Sequence, residues 1–134
     1  MAEKKEIKTS SALHSGANYS QAILAGDSVY VAGQVPIDPY TKQVTGETVA
    51  EQTRSVLTYI KAILAEAGCT MDDIVKINCY LTDISKFQEM NEVFAEFFSR
   101  PYPARVTVGV QLIGFQVEMD CTARLPAWRK QNEL

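Results

Sequence analysis

The stretch from Thr48 to Leu81, TVAEQTRSVLTYIKAILAEAGCTMDDIVKINCYL, decides the fold because its apolar spacing changes period part-way along. In its first half Val56, Leu57, Ile60, Ile63, Leu64 and Ala67 fall on one side of a 3.6-residue spiral, which predicts an amphipathic helix over Val49–Ala67. Thr48 and Glu51 have the spacing of a capping box at its start, and Gly68 stands where a helix often leaves through a left-handed residue. After Gly68 the period drops to two. Val75, Ile77, Cys79 and Leu81 alternate with Lys76, Asn78 and Tyr80, which predicts a strand with one buried face.

Outward from this unit the same two periods recur. A second helix is predicted from about Ser85 to Phe98, with Ser85 and Gln88 as its cap and Phe87, Met90, Phe94, Phe97 and Phe98 as its stripe. Strands are predicted where Val29, Val31, Gly33 and Val35 alternate with Tyr30, Ala32 and Gln34, and where Val106, Val108, Val110 and Leu112 alternate with Thr107, Gly109 and Gln111. A last strand sets Val117, Met119, Cys121, Ala123 and Leu125 against Glu118, Asp120, Thr122 and Arg124. A shorter one near Gln21–Leu24 pairs with Val29–Gln34 across Ala25-Gly26-Asp27. The order β-β-α-β-α-β-β leaves two helices to cover one face, which makes a two-layer α+β sandwich. The valine faces should meet the helices. The other face, with Tyr30, Gln34, Asn78, Tyr80, Thr107, Gln111, Glu118, Asp120 and Arg124, is either solvated or a subunit interface.

Composition narrows the function classes. A chain of 134 residues is one domain, 1–134, by size, and 46% apolar content suffices for a core without staples. Net charge of −3 and a pI near 5.1 leave no basic stripe, so nucleic acid is an unfavoured partner. Three unpaired cysteines, Cys69, Cys79 and Cys121, point to a reducing, cytoplasmic setting. The N-terminus lacks an apolar signal core and no run reaches the ~18 residues of a membrane span. His14 is the only histidine, and no H-E-x-x-H, Walker or dinucleotide motif occurs, so triads, metal hydrolysis and nucleotide chemistry are disfavoured.

Four places remain where a residue departs from its pattern. Arg105 follows Tyr102-Pro103-Ala104, where the prolines impose an extended approach and place it at the start of a strand. A guanidinium there can hold a carboxylate through two parallel hydrogen bonds, although spacing alone favours an ordinary strand-edge arginine. Asn91 interrupts the apolar stripe of the second helix and reads as a tether. Gly33, before Gln34-Val35-Pro36, either presents a bare N–H to a ligand or marks a β-bulge. Glu118 either forms an interface ion pair or holds a water, and Tyr19-Ser20-Gln21 is ambiguous alone.

Taken together, Tyr19-Ser20-Gln21-Ala22, Ala32-Gly33-Gln34-Val35-Pro36 with Asp38-Pro39, Ala50-Glu51-Gln52-Thr53, Ala67-Gly68, Asp73-Ile74-Val75-Lys76, Asn91 before Phe97-Phe98, Pro103-Ala104-Arg105 and Val117-Glu118 resemble the RidA/YjgF family of reactive intermediate deaminases. The resemblance runs from about Leu13 to Leu125. It implies a YjgF-like (chorismate-mutase-like) mixed sheet of about six strands, assembled as a homotrimeric barrel with sites in the clefts between subunits. It further implies cofactor-independent hydrolysis of 2-imino and enamine acids such as 2-iminobutanoate and 2-iminopropanoate, a functional link to pyridoxal-phosphate dehydratases, and detoxification as the role. By position, Arg105 would clamp the substrate carboxylate, and Glu118 would place the attacking water. Gly33, Gln34 and Tyr19 would line the pocket, with Asn91 as support. The alternatives are a non-catalytic module binding small carboxylates or partner proteins, and a ribonuclease or translation inhibitor. The chain departs from the family where Ala32 replaces a common serine, where Ala17-Asn18 replaces Gly-Pro, and where the loop Leu112-Ile113-Gly114-Phe115-Gln116 is about two residues short.

Overall fold

Six strands form one mixed sheet in the order β1-β2-β3-β6-β4-β5, and every neighbouring pair is antiparallel except β4 and β5. In chain order these are β1 (Lys5–Ile7), β2 (Ala22–Ala25), β3 (Ser28–Gln34), β4 (Ile74–Leu81), β5 (Ala104–Gly109) and β6 (Val117–Arg124). Two helices, α1 (Val49–Glu66) and α2 (Phe87–Phe97), complete the two-layer α+β sandwich. The computed structural model describes residues 3–14 and 16–127.

The period change after Gly68 is realised as read. Thr48 caps α1, Glu51 closes the reciprocal half of the capping box, and Gly68 takes a φ of 82° just beyond the C-cap Ala67. A left-handed residue is easiest for glycine, so the helix stops there and the chain turns into β4. Val56, Leu57, Ile60, Ile63 and Leu64 are fully buried beneath the sheet, against Val29, Ile77, Leu81, Val117 and Met119. Parallel pairing of β4 with β5 needs a crossover, and α2 is that crossover. The last strand, β6, enters the middle of the sheet between β3 and β4.

Six expectations are corrected. The N-terminal stretch that showed no pattern contains an edge strand, β1, paired with β2 through Lys5–Leu24, Glu6–Ile23 and Ile7–Ala22. Three residues are too few to show a period. Ser85 and Gln88 do not cap the second helix. Asp83 caps a 3-10 turn over Ile84–Lys86 by accepting from the Ser85 N–H, and α2 starts at Phe87 without a side-chain cap.

Strand β5 turns over relative to the predicted alternation. Val106 and Val108 are exposed, whereas Arg105 and Thr107 are half-buried on the helix side, registered with Ile77 and Cys79. This strand also ends at Gly109 rather than Leu112. Gln34 leaves the open face, because the register shifts between Val31 and Gln34 and the slip turns its side chain inward opposite Met119. A matching irregularity between Ile74 and Lys76 buries Ile74 and exposes Val75. The Val117–Ala123 alternation of β6, by contrast, holds at every position.

Candidate active site

Arg105 emerges from the extended Pro101–Pro103 approach onto β5, an edge strand, with its side chain turned onto α2. There the aromatic stripe of α2 meets it. The guanidinium carbon lies 5.2 Å from the Phe87 ring centre and 4.7 Å from that of Phe94. Cation–π contact of this kind holds a planar cation flat against its platform. Its Nη1 donates to Asn91 Oδ1 at 2.8 Å. Asn91 therefore tethers α2 to the arginine, and its place inside an apolar stripe is explained by a partner that is itself polar.

Around this group a groove of about 420 Å³ opens, lined by Asn91, Phe94, Ala95, Tyr102, Pro103 and Arg105. Arg105 forms no ion pair among the described residues, so its fork faces the groove with one edge engaged and the rest uncommitted. A half-buried cation on an aromatic floor, without a protein counter-ion, suits a small anion with an apolar body.

The other expected site residues gather elsewhere. Glu118 lies on β6, on the sheet face opposite the helices, directly across from Tyr80 of β4. Next to it on β3 is Gly33. A Cβ there would overlap Glu118 Oε2 and lie 3.1 Å from Cδ, so a glycine lets the carboxylate approach the β3 backbone closely beside the register shift. Tyr19 is exposed at the rim of a shallow hollow with Tyr30 and Ala32 on the same side. Gln34 is buried and donates from Nε2 to Ala32 O at 3.1 Å, which turns it away from that hollow.

Within one chain the structure thus makes two clusters. Arg105 with Asn91 sits on the helix side of the β5 edge, while Glu118, Gly33 and Tyr19 sit on the open face, with Glu118 two strands away on β6 and Gly33 three strands away on β3. Arg105 and Glu118 are not brought together.

Partial burial raises the Glu118 carboxyl above its usual value, and the neighbouring Asp120 adds to this. Asp120 accepts from Tyr80 OH at 2.7 Å and from Asn78 Nδ2 at 2.8 Å. The bond to Asp120, followed by burial, pushes the Tyr80 phenol up to about 12. Burial likewise pushes the Cys79 and Cys121 thiols to about 12, which removes them as nucleophiles. His14 is exposed. Among the described residues no group of three His, Cys, Asp or Glu side chains is placed to hold a metal, and no helix is long and apolar enough to cross a membrane.

Two features escaped the sequence reading. Gln52 is buried, accepts from the Gln116 N–H at 2.7 Å and donates to Gly46 O at 3.2 Å. Gln116 in turn donates to Glu47 O at 2.9 Å, so the short loop before Glu118 is fastened to the start of α1. The signal was present, since Gln52 stands one turn before Val56 on the apolar stripe, as Asn91 does on α2. The Asp120–Tyr80–Asn78 network had no such signal, because β4–β6 register is not visible in sequence.

Residues 9–125 match the family model described as Endoribonuclease L-PSP. A RutC family protein of Pyrococcus abyssi is 46% identical over 105 residues, covering 78% of this chain and 83% of that one. A protein of Dermatophagoides farinae named 2-iminobutanoate/2-iminopropanoate deaminase is 34% identical over 110 residues, covering 82% and 86%. Among solved structures, RidA from an Antarctic Psychrobacter superposes with a TM-score of 0.85 at 38% identity, covering 90% of this chain and 99% of that one. The sheet order, the two-helix layer and these matches define a YjgF-like two-layer sandwich. The chain belongs to the endoribonuclease L-PSP family, the YjgF/RidA proteins.

Proposed function

We propose that this protein hydrolyses 2-imino and enamine acids, such as 2-iminobutanoate and 2-iminopropanoate, to 2-oxo acids and ammonia, as a homotrimer with sites between subunits. The observation that carries the reading is the Arg105 fork, stacked on Phe87 and Phe94, without an anionic partner among the described residues, and facing a groove large enough for a small acid. The separation of Arg105 from Glu118 in one chain supports a site completed by a neighbour, because β5 is an edge strand and the Glu118 face is bare. A relative named as an imine deaminase agrees with that chemistry.

In this reading Arg105 holds the carboxylate and fixes the imine carbon. A water oxygen bonds to that carbon as the C=N π pair moves to nitrogen, and Glu118 takes the water proton and passes it to that nitrogen. The remaining C–N bond then breaks with its electron pair on nitrogen, Glu118 carries the hydroxyl proton across to it, and ammonia departs as the hydroxyl becomes the oxo group. Imines already hydrolyse in water, so orientation and charge placement are the main requirements. Substrate would come from pyridoxal-phosphate dehydratases in a cytoplasmic setting. The test couples a threonine dehydratase or an amino-acid oxidase to the protein and traps residual imine with semicarbazide. Less trapped imine supports the reading, and unchanged trapping ends it. Solution mass tests the trimer, since a stable 14.9 kDa monomer contradicts a site between subunits.

Two variants probe the supports. Asn91→Ala removes the acceptor that orients Arg105, and a hydrogen bond to a charged group contributes roughly 1.5–3 kcal/mol. KM should therefore rise about tenfold or more, with kcat changing less; an unchanged KM would count against the tether. Gly33→Ala sets a methyl against the far end of Glu118, which can swing aside at little cost to the fold. Tm should stay near the parent while kcat/KM drops by about tenfold to a hundredfold, the scale of a ~1 Å misplacement. Parental activity would separate Gly33 from the chemistry.

A further inference from the structure

The first two residues of β6, Val117 and Glu118, are held in register from one side only among the described residues. β4 pairs with them through Leu81–Val117 and Tyr80–Glu118, whereas the β3 ladder reaches no further along β6 than Gln34–Met119. Past Gln34 the chain turns to other partners: Pro36 has no N–H to give, and its carbonyl accepts from the Thr45 N–H at 2.8 Å. A strand end with a one-sided ladder opens easily unless something else fastens it. Here the fastening is Gln116. Its N–H donates to Gln52 Oε1 at 2.7 Å, its carbonyl accepts from the Thr82 N–H at 3.1 Å, and its Nε2 donates to Glu47 O at 2.9 Å. Gln52 is itself aimed by its own Nε2, which donates to Gly46 O at 3.2 Å. A buried amide on an apolar helical stripe is costly unless its groups are paired, and both ends of Gln52 are paired. All four bonds lie within one chain, so they do not depend on a neighbouring subunit.

We propose that Gln52, on α1, is a positioning residue for Glu118 and acts through Gln116. The proposal rests on the deaminase reading for the role of Glu118, and on hydrogen-bond geometry for the link. In that reading Glu118 must meet a carbon held by an Arg105 that belongs to a different cluster. Catalytic groups work when each is held within roughly 0.5 Å of its productive place, so each half of such a site needs a support of its own. Asn91 supplies it for Arg105. Gln52 supplies it for Glu118, which follows Gln116 by two residues along an extended backbone. Each support is an amide set into the apolar stripe of a helix, where the helix core fixes it and a loop or strand residue receives it. The carboxylate clamp does not involve Gln52, so losing Gln52 should affect the chemical step and leave substrate binding nearly as it was.

The experiment compares Gln52→Leu and Gln52→Glu in the full chain. Leucine is of similar size and has no acceptor, whereas glutamate keeps an oxygen where Oε1 stands and can still receive the Gln116 N–H. With kcat taken per folded molecule, Gln52→Leu should lose about tenfold to a hundredfold in kcat, the scale of a ~1 Å misplacement, with KM close to that of the parent. Gln52→Glu should recover most of that loss. Folded Leu57→Ala, destabilised through the same helix, should keep the parental kcat, which separates misplacement from general instability. A second readout needs no activity. In Gln52→Leu the Gln116 amide hydrogen should exchange faster with solvent, and the backbone NMR shifts of Glu118 should move. A parental kcat in folded Gln52→Leu overturns the proposal, as does an equal loss in both Gln52 variants or a change confined to KM. Unmoved Glu118 shifts overturn it whatever the activity does. If the parent hydrolyses no imine, the deaminase reading fails, while exchange and shifts still decide whether Gln52 holds the start of β6. Should neither Gln52 variant fold, Gln116→Ala serves. It removes only the half-exposed side-chain bond to Glu47 O, and should lower kcat by a smaller factor at unchanged KM; a parental kcat there overturns the proposal.

Discussion

Replacing Arg105 with alanine is expected to lower kcat/KM for imine hydrolysis by about a hundredfold or more, while the protein stays folded. The magnitude follows from the bonds lost. Each charge-assisted hydrogen bond to a carboxylate contributes roughly 1.5–3 kcal/mol, and a fork can make two. A factor of ten in rate corresponds to about 1.4 kcal/mol, so losing both gives about two to four orders of magnitude. Part of the loss should appear in KM and part in kcat, because the clamp both binds and aims the substrate. Arg105→Lys should recover only a fraction. A lysine keeps the charge but not the planar fork, and it stacks less well on Phe87 and Phe94. Steady-state kinetics on oxidase-generated imine, with Tm as a control, measure this. Parental kcat/KM in a folded Arg105→Ala would remove the centre of the proposed function. Cleavage of RNA that survives the same substitution would point to a second activity on another surface.

The second large effect concerns stability. Leu57→Ala should destabilise the protein by roughly 2–5 kcal/mol, the range for deleting a buried leucine where the surroundings relax only partly. Leu57 is fully buried on the sheet-facing stripe of α1, within the same cluster as Ile60, Ile63 and Leu64. Against a typical total of about 5–15 kcal/mol, that is a large fraction. The denaturant midpoint should drop clearly, whereas Lys61→Ala, on the exposed side of the same helix, should move stability by no more than about 0.5 kcal/mol. A Leu57→Ala midpoint near that of the parent would mean that α1 is not packed as described.

These two predictions differ in how much of them was visible before the fold. The helix carrying Leu57 was legible because everything that defines it is local. The period of its apolar residues, the Thr48–Glu51 cap and the Gly68 exit all lie within one continuous stretch. The alternation in β6 was equally clear, since eight residues are enough to show a period of two. By contrast β1, with three residues, is defined only by its partner. The faces of β5 were misread because Val106 and Val108 look like core and are exposed, while Arg105 faces the helices. Pattern reading assumes that apolar means inward, and an edge strand beside a bare sheet face breaks that assumption.

For the candidate site, the sequence by itself determined the inventory: one arginine set by prolines, one amide in an aromatic stripe, one glycine at a strand end and one carboxylate in an alternating strand. It also determined family membership, since residues 9–125 carry the match. Only the tertiary structure decided which of these residues meet. It laid Arg105 on Phe87 and Phe94 beside Asn91, placed Gly33 beneath Glu118, withdrew Gln34 through a register slip, and put the two clusters on opposite sides of the sheet. The physical reason is register. A side chain's face and its neighbours across a sheet depend on pairings between strands far apart in the chain, and one slipped residue reverses them.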